Sequence, residues 1–308
     1  MRIKLCGYLA CALMLALGLQ SCQQDDVPKG VRYPIVFSNA DTRAVADADN
    51  LKDGFKVYTY VQGNAGSTSF AKDVEYYETQ GVWAFTSPEY WLPNTTYSFK
   101  AFYPKELTAG KLTVDNSSKN QYYTISNFDV VNHQEDILVA SATATVESGS
   151  VPTSGDVNGS KVNLKFQHIL ALVDIKMKSA ISGLTIDTVT IGDADNEGAY
   201  SSSTGEWTST KSGDIEVNSG EALTVGDDFV SVVGDGILVI PASSSGKYLS
   251  VKASNGKTYK VDFPSDIVWE RGNKYTYTLE IKQSNIIFNE PKVDEWDSEN
   301  ATGSVIIK

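Results

Sequence analysis

The residues of this 308-residue chain that could do chemistry are few and poorly spaced for catalysis. Histidine occurs twice, at His133 and His168. His168 lies inside the apolar run Phe166-Gln167-His168-Ile169-Leu170, where a structural imidazole is expected rather than a metal ligand or base. No Gly-x-Ser-x-Gly turn frames a nucleophile, and no glycine loop opens a helix to cradle phosphate. Asp193-Ala194-Asp195-Asn196-Glu197-Gly198 resembles the start of a calcium loop. Thr204 stands where a bidentate Glu is needed, however, and the flanks read as strands, so an acidic turn is the default. Tyr76, Tyr77, Trp83, Tyr90 and Trp91 could stack on sugar rings, or could serve as core and cross-strand pairs. The chain reads as non-enzymatic, with no cofactor and no metal.

The more consequential chemistry is done to the chain. Met1 to Lys4 is a short basic start, and Leu5 to Leu19 is an apolar run too short to span a bilayer comfortably. Together they read as a secretory signal peptide over 1–21. Leu19-Gln20-Ser21-Cys22 resembles a lipobox, which makes Cys22 the expected lipidation site. Acyl chains there would anchor the precursor in a membrane. All three cysteines (Cys6, Cys11, Cys22) lie in the first 22 residues, so no disulfide framework or zinc site can be built further on. Residues 22–30, opening Cys22-Gln23-Gln24-Asp25-Asp26, resemble the acidic tether that routes some bacterial lipoproteins to the outer face of the outer membrane. The net charge is −12 with no basic cluster, which suits a surface protein and disfavours nucleic acid as a partner.

A second bond of interest is Arg43–Ala44. Arg43 is the only Arg between Arg32 and Arg271, and it follows a run that alternates cleanly. Val31, Tyr33, Ile35 and Phe37 fall on one face, and Arg32, Pro34, Val36 and Ser38 on the other. That is the pattern of a half-buried strand. Burying its four apolar side chains is worth roughly 6–12 kcal/mol, comparable with the whole stability of a domain. One reading makes this strand removable by a cut after Arg43, leaving an apolar groove and open edges that another strand can fill. The other makes it a permanent first strand. Pro34, which cannot donate to a ladder, fits an edge or a strand start best.

The elements that must hold these residues are strands. Helical periodicity is nearly absent, and short alternating runs recur between Gly, Asn and Ser turns, so the chain is all-β. Strands are expected at Phe55–Val61, on both sides of Thr79-Gln80-Gly81, and at Tyr97–Tyr103, Tyr122–Ser126 and Asp136–Ser141. Gly149–Gly159 reads as a loop. Lys161–Lys178 reads as one long strand whose apolar face changes parity around His168–Leu172, through a bend, a bulge or burial on both sides. Ser179–Gly183 breaks the pattern, giving domains at 31–180 and 181–308. In the second, Tyr248–Ala253 and Thr258–Phe263 flank Asn255-Gly256 as a tight hairpin, and Lys274–Lys282 alternates without a fault. The tail 297–308 is a polar stretch ending in Val305-Ile306-Ile307, either an ordinary edge strand or a strand for donation to a neighbour.

Taken in order, these motifs resemble the bacterial fimbrillin family, the lipoprotein pilins of type V pili. The lipobox at Cys22 is followed by Tyr33-Pro34-Ile35-Val36-Phe37-Ser38, Thr42-Arg43-Ala44 and Gly54-Phe55-Lys56-Val57. Asp136-Ile137-Leu138-Val139-Ala140, Phe166 to Ala171, Lys274 to Lys282 and Trp296 complete the series. The resemblance implies two tandem transthyretin-like (Greek-key) β-sandwiches and surface export as a lipoprotein. It implies an Arg-specific protease cutting Arg43–Ala44 to remove the strand of Tyr33, Ile35 and Phe37. The tail residues Val305, Ile306 and Ile307 become the candidate donor, and other fimbrial subunits the partners. The implied location is the outer membrane and its fimbriae, with adhesion to a host or bacterial surface glycan or protein. A surface lipoprotein that binds glycan without polymerising is the alternative. Asp187-Thr188-Val189 also resembles an O-glycosylation acceptor of some surface bacteria.

Overall fold

Alternation of apolar and polar side chains builds the strands of the first half. The computed structural model describes residues 33–38, 51–147, 161–223, 228–282, 286–289, 291–296 and 302–307. Cys22, Val31, the Arg43–Ala44 bond and the loop at 149–159 lie outside them. Strand β1 (Val36–Ser38) points Phe37 inward. A single 3-10 turn, Leu51–Asp53, leads to β2 (Phe55–Gly63), which buries Phe55, Val57, Thr59 and Val61, the face its sequence specifies. Gly54 precedes it at φ +86°, and a Cβ there would collide with the Val74 carbonyl oxygen, so only glycine fits. Then come β3 (Gly66–Tyr77), β4 (Val82–Phe85), β5 (Thr95–Tyr103), β6 (Lys111–Val114), β7 (Tyr123–Asp129) and β8 (Leu138–Val146).

The stretch 161–178, expected as one strand, is three: β9 (Lys161–Asn163), β10 (Gln167–His168) and β11 (Ala171–Ser179). The parity switch marks a transfer between two apolar cores. Val162, Leu164 and Phe166 belong to one, and Ile169 to Ile175 and Met177 supply the other. From Ile169 to Ile175 every residue is buried, including Asp174.

Beyond residue 180, β12 (Ile186–Ser201) and β13 (Glu206–Asn218) form a long bulged hairpin, followed by β14 (Val230–Ser231), β15 (Ile237–Val239) and β16 (Ala242–Ser243). The expected hairpin is β17 (Tyr248–Ala253) with β18 (Thr258–Asp262), turning at Gly256 with φ +77°. The last strands are β19 (Val268–Trp269), β20 (Asn273–Ile281), β21 (Ile286–Phe288), β22 (Lys292–Glu295) and β23 (Thr302–Ile307). In β20, Tyr275, Tyr277, Leu279 and Ile281 point inward as their alternation requires.

These strands make three main sheets and one two-stranded ribbon, so the chain is all-β. The nine-stranded sheet runs β10-β8-β5-β2-β3-β4-β1-β9, with β23 also on β8. One six-stranded sheet runs β14-β11-β20-β21, with β15 on β11 and β22 on β20. The other runs β18-β17-β12-β7-β6, with β13 on β12, and the ribbon pairs β16 with β19. The first apolar core holds Ile35 to Phe166 and the second Phe102 to Ile286, so the two overlap along the chain. Strands β6 and β7 come from residues 111–129 yet pair, through β7, with β12. Strand β5 is buried on both faces, giving Phe99 and Ala101 to the first core and Phe102 to the second.

Candidate functional site

The candidate site is β1 and the slot that holds it. Ile35 is 1% exposed and Phe37 fully buried, while Tyr33 packs partly exposed against the same core. The Phe37 ring meets three others edge to face: Phe55 at 6.3 Å, Phe85 at 5.2 Å and Phe99 at 5.4 Å between centroids. These rings come from β2, β4 and β5, so one side chain of the first strand ties three others together. The sequence places all three in expected strands, but gives no sign that they converge on Phe37.

Both edges of β1 are paired. It runs antiparallel to β4, with Val36 opposite Ala84 and Phe37 opposite Trp83. On its other side it runs parallel to β9, with Phe37 opposite Val162. The pairing extends at both ends, where the Ile35 amide donates to Glu89 O (2.7 Å), Trp91 N to Tyr33 O (3.1 Å) and Leu164 N to Ser38 O (2.9 Å). Those bonds bracket an antiparallel bridge between Pro34 and Tyr90. In such a non-hydrogen-bonded pair neither residue's own N–H is used, so the proline leaves no gap in the ladder.

The aromatic stretch beside the slot serves packing. Trp83 and Trp91 are 8% and 3% exposed. Trp83 donates Nε1–H to Leu51 O (3.1 Å), and Trp91 lies edge-on to Tyr97 at 5.0 Å. Rings enclosed in this way offer no face to a sugar, and among the five only Tyr77 and Tyr90 are exposed, at 39% and 37%. Burial pushes the Tyr97 phenol above its ordinary value; the Leu92 amide, donating to its oxygen, pulls it back and the Glu89 carboxylate raises it again.

The remaining candidates are structural in setting. His168 is buried, with Nδ1 2.6 Å from Asp136 Oδ2 and its ring stacked 3.6 Å from that of Trp296. This stack holds the end of β22 against β10. Asp193, Asp195 and Glu197 lie along β12, with Asp195 3.2 Å from Lys247 Nζ. Among the described residues no group of three His, Cys, Asp or Glu side chains is placed to hold a metal ion.

The model of the fimbrillin-like family matches residues 42–296, most of the chain. The chain belongs to the fimbrillin-like family. Among solved structures, a fimbrial protein of Bacteroides vulgatus is similar at 15% identity and TM-score 0.55, over 86% of this chain and all of that one. Candidate cell adhesion proteins of Bacteroides uniformis and Bacteroides ovatus are similar at 19% and 16% identity, with TM-scores of 0.55 and 0.53. Each match covers 88% of this chain and all of the other. These likenesses establish a shared fold. No curated protein shows a significant match.

In this fimbrillin-like chain the tail forms β23, parallel to β8, from Thr302 opposite Ser141 to Ile307 opposite Val146. Val305, Ile306 and Ile307 therefore lie in the same sheet as β1, and β23 also runs close to β9, the strand that pairs with β1.

Proposed function

We propose that this chain is a structural subunit of a cell-surface fimbria, exported as a lipoprotein on Cys22 and assembled after the first strand is cut away at Arg43–Ala44. In this reading the vacated slot is refilled by a strand from a neighbouring subunit. The observation that carries it is the position of β1. A three-residue strand paired on both edges and plugged by fully buried Phe37 follows a chain start that resembles a lipobox and precedes Arg43, the only Arg between Arg32 and Arg271. Losing Ile35 and Phe37 forfeits about 3–6 kcal/mol of burial, a large share of a domain's stability. A chain that sheds β1 thus gains strongly from a replacement, and β4 and β9 are left as open edges. Two tandem transthyretin-like sandwiches belong to the same proposal, supported by the two apolar cores. So do the tail as donor, the outer membrane as the precursor's anchorage and adhesion to another surface.

The test is N-terminal sequencing and intact mass of the protein recovered from the cell surface. The expected species starts at Ala44, carries no lipid and runs as an SDS-resistant ladder that Arg43→Ala abolishes. Recovery only of lipidated chain starting at Cys22, with no ladder, would overturn the polymerising role.

A further inference from the structure

The Phe37 socket is shaped for a ring. Phe55, Phe85 and Phe99 are each at most 2% exposed and meet Phe37 at interplanar angles of 73°, 85° and 90°. Edge-to-face pairs add stabilisation beyond the area they bury. An aliphatic side chain in the same place forfeits all three and leaves space that rigid aromatic walls cannot close. The neighbouring demands are looser, for the Ile35 place takes an aliphatic residue and the Pro34 place requires no N–H donor.

The chain's own tail does not meet this requirement. No aromatic residue follows Trp296, and the tail ends Gly303-Ser304-Val305-Ile306-Ile307-Lys308. Sliding the tail along the slot puts Val305, Ile306, Ile307 or Lys308 at the Phe37 place, with the residue two positions earlier at the Ile35 place. None of these registers puts an aromatic ring in the socket. The tail also already has a place in its own subunit, on β8.

We propose that the slot selects an aromatic residue at the Phe37 place, so that its occupant in the fibre is a strand of a different fimbrial subunit carrying an aliphatic-x-aromatic pair, and not the tail of a second copy of this chain. This rests on the reading that β1 leaves the slot. It assigns the chain a heterologous neighbour on the slot side and makes Phe55, Phe85 and Phe99 its specificity determinants.

The experiment uses the full chain with Arg271→Lys, which leaves no Arg beyond residue 43. An Arg-specific protease releases residues 33–43, and the fragment is removed by gel filtration under mild denaturant. Three labelled peptides are then titrated in: residues 33–43, the same peptide with Phe37→Ile, and residues 297–308. The native peptide is expected to bind, and the Phe37→Ile peptide to bind at least about tenfold more weakly, as loss of three ring pairs implies. The tail peptide is expected to be no better than the isoleucine variant. Tail binding equal to or tighter than the native peptide overturns the selectivity and leaves strand removal standing. If no peptide binds, or the fragment cannot be displaced, the removable-strand reading falls and takes this proposal with it. The uncut chain gives an independent measure: Phe37→Ile is expected to lower the melting temperature by at least about 2–4 °C, and an unchanged value refutes the socket.

Discussion

Trp91 sits with its indole edge-on to Tyr97 and 6.4 Å from Phe99, inside the core that β1 completes. Trp91→Ala is therefore expected to cost about 3–5 kcal/mol of stability, the usual range for emptying a buried aromatic site, read from urea unfolding. A variant with unchanged stability and lost polysaccharide binding would restore a sugar-stacking role. Tyr277 carries a pH dependence of definite sign. Burial pushes its phenol up to about 12, the Trp269 Nε1–H donated to its oxygen at 2.9 Å partly opposes this, and Tyr275 and Asp266 add to it. The folded chain thus keeps this proton where the unfolded chain, near 10, has lost it. Its contribution is complete below pH 10 and disappears as pH rises through about 12, at up to about 1.4 kcal/mol per pH unit. Unfolding midpoints at pH 9, 10 and 11 should show that decline, and Tyr277→Phe should flatten it. Residue by residue, the sequence displayed the inward face of β20 and of β1, because parity is a local property. It could not separate Trp91 as core from Trp91 as platform, because that depends on Tyr97 and Phe99 arriving from the next strand.

Among the elements, two glycines with similar backbone angles make a controlled comparison. Gly54 and Gly256 both have positive φ, yet only at Gly54 would a Cβ strike another strand's backbone, while at Gly256 it would enter open space. Gly256→Ala should cost about 1 kcal/mol, the price of the backbone angle alone. Gly54→Ala should cost more than about 2 kcal/mol, since β3 must shift as well. Equal losses in thermal unfolding would refute that account. The Asn255-Gly256 hairpin was legible because its turn chemistry is local. The parity switch near His168 was legible too, as a change of buried face. That it marks passage from one core to another needed the sheets themselves, as did the break into β9, β10 and β11. Strands β6 and β7 taught the same lesson: nothing local in 111–129 shows that β7 will pair with β12 across some seventy residues.

At the scale of the molecule, the pairing of β23 with β8 joins residues more than 150 positions apart, which alternation cannot foretell. It gives a direct expectation. Deleting residues 302–307 should leave the outer edge of β8 open, and amides in 141–146 that bond to the tail should exchange faster, while those of β2 stay protected. Unchanged exchange across 141–146 would mean that the tail does not rest there in solution. The mixed setting of β1 has a further consequence. It runs against β4 and along β9, so a substitute that keeps both ladders must point the same way. Every joint in a fibre made by such replacement would then carry the same arrow. Subunits could not alternate heads and tails, and the two ends of the filament would be chemically different.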